Sequence, residues 1–135
     1  MSVTDKAQVL GKTDSAIGLC AAINILDKWS ASAKQACSIL CISLSTYTRV
    51  KSAEDATWAV NLDIDVMQRV SLVLNIHSVL RLIFDNPDNV YGFVSMKNDN
   101  EFFNGRAPIE VMAQGDIMSL YETFSRIDSL RLVDG

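Results

Sequence analysis

Pro108 and Gly115 punctuate the C-terminal third of this chain at a spacing that leaves room for one short helix. Asn104-Gly105, just upstream, is a turn dipeptide. Proline suits a first helical turn, where its fixed φ is right and its missing N–H has no partner to lose. Ile109, Val111 and Met112 then give a short apolar face. Gly115 ends that helix, because glycine alone enters the left-handed cap conformation without strain. Asp116 can start the next one. Ile117, Leu120, Tyr121, Phe124, Ile127 and Leu130 recur at three- and four-residue spacing and form one stripe. The segment predicts two helices joined by a very tight corner.

The remainder reads the same way. With 135 residues, the chain is one domain or two small ones sharing a core. Hydrophobic residues make up 49% of the chain, with six glycines and two prolines. That balance favours long regular elements over a loop-rich β fold. Residues 1–13 are polar and read as a loose arm. Asp14 or Ser15 can cap a helix to about Trp29, with Ile17, Cys20, Ala21, Ile23 and Leu26 inward. Ser30 or Ser32 caps a helix over 33–41, and Ser43 or Ser45 one ending near Ala53. A long helix runs from about Asp63 to Phe84, its acidic residues at the end where the helix dipole favours them. Asn86-Pro87-Asp88 breaks it, and a fifth helix runs on to about Met96. The expected architecture is all-α with about seven helices. Residues 1–60 form a helix-turn-helix bundle, continuous with a C-terminal helical region over 61–135.

Residues 32–51 meet the demands of a helix-turn-helix. Ala36 is small where a second helix must cross, Ile42 pins the turn, and Ser43 supplies a capping hydroxyl. Tyr47 and Val50 face inward. Ser43, Ser45, Thr46, Thr48 and Arg49 are the candidate DNA contacts, with Lys51 for phosphate. Arg49 alone among them could grip a guanine with two hydrogen bonds. Cys41 stands where the turn favours glycine, so it must adopt a left-handed backbone or change the turn, at a cost of roughly 1 kcal/mol.

These two segments, in this order, resemble the Xre/MbcA/ParS-type antitoxins over roughly residues 15–130. The first corresponds to the Xre-like helix-turn-helix. Asn100, Gly105, Pro108, Gly115 and the stripe to Leu130 correspond to the family's toxin-binding domain. The resemblance implies an antitoxin of a type II toxin–antitoxin pair whose partner is a RES-type toxin, an enzyme that destroys cellular NAD. It also implies that the last helix and the residues beyond it are inhibitory. Arg126, Leu130, Arg131, Leu132, Val133, Asp134 and Gly135 are the corresponding toxin-binding residues here. Leu132 and Val133 lie beyond the stripe and suit a pocket on a partner. Asp134 and the terminal carboxylate could stand in for the phosphates such a toxin must hold.

Charge sorts the partners. Residues 1–60 hold six Lys/Arg against five Asp/Glu, and residues 61–135 six against eleven. The first half tolerates a phosphate backbone, while the second is repelled by one and prefers a basic partner. Cys20, Cys37 and Cys41 read as buried, reduced thiols of a cytoplasmic protein. The N-terminus has no apolar signal core. Val70–Leu80 is too short and too polar to cross a bilayer. His77 lies in an apolar run without a catalytic partner, and reads as a hydrogen-bonded core or interface residue. Asp85, Asp88, Asp99 and Glu101 fail the calcium-loop spacing at Pro87. No zinc-ligand spacing, phosphate loop or nucleophile elbow occurs. A non-enzyme without metal or cofactor is expected, which binds its cognate toxin and operator DNA and regulates its own operon. Excess apolar surface on helix 63–84, and the two-fold symmetry usual for operator binding, point to a homodimer. The alternative is a helix-turn-helix transcriptional regulator whose C-terminal half senses a ligand or dimerises.

Overall fold

The computed structural model of the chain describes residues 3–52 and 62–134. The expected junction at 60/61 and the terminal Gly135 lie outside them. The described residues form seven α-helices, α1 (Val3–Lys28), α2 (Ala33–Leu40), α3 (Leu44–Ser52), α4 (Ile64–Ile83), α5 (Pro87–Gly92), α6 (Pro108–Met112) and α7 (Ile117–Asp134). A single 3₁₀ turn, Phe93–Ser95, comes after α5. No strand occurs among the described residues, so the fold is all-α.

The helix boundaries arise from local chemistry. Ser32 opens α2 with a complete capping box. Its side chain accepts from the Gln35 N–H, and the Gln35 side chain accepts from the Ser32 N–H. The Ser43 hydroxyl accepts from the Thr46 N–H at 3.1 Å at the start of α3. Asp63 caps α4 by accepting from the Val66 N–H at 2.9 Å. Pro87 and Pro108 occupy first turns. Gly115 has φ of 96° and makes the corner between α6 and α7.

Two helix ends lack the glycine that usually closes them. Ser30 (φ 66°) and Cys41 (φ 57°) both sit in the left-handed region. The Ala31 N–H reaches the Leu26 carbonyl at 3.0 Å, and the Ile42 N–H reaches that of Cys37 at 3.1 Å. These bonds close Schellman-type ends. Cys41 takes the strained backbone that its position demands, and at the helix end it is exposed rather than buried as expected, with Cys20 and Cys37 half-buried. Cys41→Gly is therefore expected to stabilise the fold by about 0.5–1 kcal/mol, net of glycine's extra freedom in the unfolded chain. A rise in the urea midpoint at unchanged slope is the check.

Two expectations for α1 need correction. Residues 3–13 are not a loose arm, since α1 begins at Val3 and runs through Asp14 and Ser15, which cap nothing. A polar composition does not by itself exclude a helix, and no proline interrupts this stretch. The buried face of α1 is also rotated from the expected one. Ala16, Leu19, Ala22, Ile23, Leu26 and Trp29 are buried, whereas Ile17 is 53% exposed. Trp29 fixes the face: the largest side chain must be inside, and the three- and four-residue rows from it reach Leu26, Ala22 and Leu19.

The core is continuous across the chain. Leu19, Ile23 and Leu26 of α1, Ile39 and Leu40 of α2 and Val50 of α3 belong to it. They share it with Val73, Ile76 and Leu80 of α4 and with Leu120 and Ile127 of α7. α4 is its axis and packs on α1, α2 and α7. By length and composition α4 could cross a membrane, but here it is the central helix of the bundle.

Candidate functional site

The helix-turn-helix corner is compact: α2, then Cys41, Ile42 and Ser43, then α3. Ala36 is 1% exposed where α3 crosses, so a larger side chain there would part the two helices. Tyr47 and Val50 anchor α3 inward, as expected. Ser45, Thr48 and Arg49 are exposed on its outer side. Ser43, Thr46 and Lys51 are held by local bonds. Ser43 donates its hydroxyl to Thr46 Oγ1 at 3.0 Å. Lys51 Nζ lies 3.0 Å from an Asp27 carboxylate oxygen and 3.2 Å from the Tyr47 hydroxyl. Those hydrogen bonds, Asp27 first, raise its pKa and direct its charge toward α1. Leu44, which nothing in the sequence singles out, is 62% exposed at the first turn of α3. An apolar side chain there can meet a thymine methyl.

Behind this corner lies a residue that sequence reasoning missed. Arg69 on α4 is 6% exposed. One guanidinium nitrogen, Nη1, donates to the Ile39 carbonyl at 3.3 Å, the Ser38 carbonyl at 3.5 Å and the Gly115 carbonyl at 2.7 Å. Nε donates to Asp65 at 3.0 Å. The first two acceptors belong to the last turn of α2, whose carbonyls have no helical N–H and carry the negative end of the dipole. The third belongs to the α6–α7 corner. A single side chain thus ties the helix-turn-helix to the C-terminal corner. A β-carbon on Gly115 would lie 3.8 Å from the Ser38 carbonyl oxygen, so the two segments are in close contact.

The loop before α6 is closed by its own backbone. The Gly105 N–H reaches the Asn98 carbonyl at 2.8 Å, and the Asn98 N–H reaches that of Arg106 at 3.1 Å. Arg106 donates to the Phe102 and Phe103 carbonyls. Arg126 of α7 holds its guanidinium 5.2 Å from the Phe102 ring centre, a cation–π contact. Its Nε lies 3.8 Å from a Glu122 carboxylate oxygen. Asp116 caps α7 by accepting from the Ser119 N–H at 2.9 Å. The Ser119 hydrogen bonds hold its carboxyl below the usual carboxylate range.

α7 does not stop at Leu130. It continues to Asp134, so Leu132 and Val133 ride on a helix rather than an extended tail. Arg131 pairs with Asp128 at 2.8 Å, three positions back on the same helix face, which supports the last turns. Leu130 is half-buried, and Leu132 is 81% exposed. The side chains of Val133 and Asp134 lie outside the described residues.

The α7 stripe also differs from expectation. Leu120, Thr123 and Ile127 are its buried members, and Tyr121 is 52% exposed. The Thr123 hydroxyl donates to the Ser119 carbonyl at 2.8 Å. That bond lets a polar residue take a core position. Tyr121 and Met118 instead border an apolar groove of about 610 Å³ between α4 and α7, with Ile64, Met67 and Leu72 opposite. A second groove of about 370 Å³, between α1 and α4, shares Met67 and Ser71 with it and includes Asp14.

His77 accepts or donates at 3.2 Å to the Tyr91 hydroxyl and stacks on that ring. Burial first, then Arg81 and Lys28, lowers its pKa. The unfolded chain, with a His pKa of about 6.5, therefore binds more protons below neutrality, and stability falls as pH drops through that value. His77→Gln should show a smaller loss of melting temperature between pH 7.5 and 5.5 than the parent. Among the described residues no group of three or more His, Cys, Asp or Glu could hold a metal ion.

No protein-family model matches the chain. The chain is similar to the uncharacterized protein y4oB of Sinorhizobium fredii (strain NBRC 101917 / NGR234). The two are 28% identical over 108 residues, which span 79% of this chain and 78% of the relative. That name states no activity or partner.

Proposed function

We propose that this chain is the antitoxin of a type II toxin–antitoxin pair. The α2–α3 corner would read operator DNA, and the C-terminal half would hold and neutralise a toxin of the NAD-degrading RES type. The observation that carries the reading is the joining of two helical corners on one core. Ser32, left-handed Cys41 and Ser43 build a helix-turn-helix corner, and Arg69 fastens it to the Pro108–Gly115 corner. Both are the segments on which the family resemblance rests. The chain needs no catalysis or cofactor of its own for this. It works by covering a surface in the cytoplasm, and inhibition is burial and charge complementarity.

The direct test is co-expression with the neighbouring gene product. A stable complex that does not consume NAD supports the antitoxin. Free NAD hydrolysis in the presence of excess antitoxin removes the reading. Deleting residues 131–135 separates the end of α7 from the rest of the surface. Restored NAD loss in a still-assembled complex assigns inhibition to that end, with Leu132 as its exposed apolar residue. Full neutralisation by the shortened chain assigns it to the helical faces.

On the DNA side, Arg49→Ala is expected to lose about 1–3 kcal/mol of discrimination at one base pair. Few basic residues accompany it on α3, and Lys51 is turned to Asp27. Affinity per subunit should therefore be modest and strengthened when two corners bind two half-sites, as a homodimer would arrange. Electrophoretic mobility shifts on the chain's own promoter read both effects. Unchanged affinity and specificity in Arg49→Ala would move the DNA surface elsewhere. The second reading is a regulator with a ligand-sensing half, and the α4–α7 groove favours it. A solitary gene with no adjacent toxin is what that reading requires.

A further inference from the structure

We propose that the groove between α4 and α7 receives a basic amphipathic helix supplied by the partner protein. The proposal rests on the reading that the C-terminal half binds a protein, and it names the chemistry of what is bound. Its first support is exposure. Ile64 is 74% exposed, Met118 63%, Tyr121 52% and Met67 45%. Walls this open suit a helix laid between two helices, which can cover all four side chains with anchors spaced three and four residues apart.

Charge selects the partner. Asp63 and Asp65 flank Ile64, Asp116 precedes Ile117, and Asp14 lines the adjoining groove. No lysine or arginine lines either groove among the described residues. Arg69, the nearest cation in sequence, is turned inward onto carbonyls. The first turns of α4 and α7 each contribute about half a positive charge. Four carboxylates outweigh those two half charges and the one guanidinium, so this end of the groove stays negative. A second copy of the chain placed face to face would set these carboxylates against their own equivalents, which is unfavourable. Lysines or arginines beside apolar anchors meet the rim and the floor together. A homodimer, which the operator reading asks for, would then use another face.

The probe is a fluorescein-labelled peptide about five helical turns long, with leucines on one face and lysines on the other. A counterpart with glutamates in place of the lysines is the control. Fluorescence anisotropy with the full chain should show binding of the lysine peptide alone, weakening as salt rises. Met118→Lys should weaken it at least about tenfold, and Leu82→Ser, at an exposed leucine away from the groove, should not. Equal binding of both peptides, or equal losses in both variants, overturns the proposal. So does a homodimer that Met118→Lys converts to monomer, because a second copy then covers the groove. Co-purification separates this idea from the one beneath it. A neighbouring gene product retained equally by parent and Met118→Lys overturns the groove and leaves the antitoxin standing. Discriminating peptide binding without any bound neighbour supports the groove and removes the antitoxin.

Discussion

Arg69→Leu is expected to lower stability by about 3 kcal/mol, which for a chain of this size moves the melting temperature by roughly 10 °C. Leucine keeps the apolar part of the stem but donates nothing. The carbonyls of Ser38, Ile39 and Gly115 lose their guanidinium donor; a buried acceptor left unmatched, as at Ile39, costs about 1–3 kcal/mol, and the half-buried ones at Ser38 and Gly115 cost less. Local opening to water returns part of that, so the loss falls short of the full sum. Asp65 is half-exposed and regains solvent cheaply. Arg69→Lys should recover only part of the loss, because an ammonium on a shorter stem can stand in for Nη1 at the carbonyls but leaves no donor at the place of Nε, which holds Asp65. Thermal melts monitored by far-UV circular dichroism give both numbers. A melting temperature for Arg69→Leu within a degree or two of the parent would mean that Arg69 is not what joins the two corners.

Trp29→Ala should cost more, about 4 kcal/mol. Trp29 is fully buried at the end of α1, immediately before the left-handed Ser30 that turns the chain into α2. Alanine there leaves a cavity next to Leu26, Ile23 and the helix-turn-helix. Since the core is one cluster from α1 to α7, the loss should appear in a single transition rather than in one part of the chain. Chemical denaturation monitored both by circular dichroism and by chemical shifts of α7 methyl groups checks this. Two separated transitions would show that the core is not shared.

What could be read from the sequence was the chemistry that acts within a few residues. Asp63, Pro87, Pro108 and Gly115 mark helix ends because a cap needs only its own first or last turn, and for α2 and α3 the same logic narrowed the cap to Ser30 or Ser32 and to Ser43 or Ser45. Ala36, Tyr47 and Val50 were legible because a helix-turn-helix imposes a fixed spacing. Arg69 was not. Its acceptors lie 30, 31 and 46 positions away, and an arginine on a helix ordinarily signals solvent. The rotation of α1 was misjudged for a related reason. Alanine and isoleucine are both acceptable to a core, and only the tertiary position of Trp29 decides between Ala16 and Ile17. Tyr121 fell in the predicted stripe but stands at its edge, where α4 leaves it uncovered. The groove it borders is a product of two helices and has no local signature.

The position of Arg69 has a practical consequence for anyone cutting this protein into pieces. A fragment ending near residue 60 would keep α2 and α3 but lose the guanidinium that occupies the last carbonyls of α2. It would also uncover Leu19, Ile23 and Ile39. A fragment starting there would carry the arginine with two of its three carbonyl acceptors gone and α4 bare along one side. Neither half inherits a finished interior. An isolated helix-turn-helix fragment that bound DNA weakly would therefore report its own partial unfolding, not the intrinsic affinity of the α3 surface.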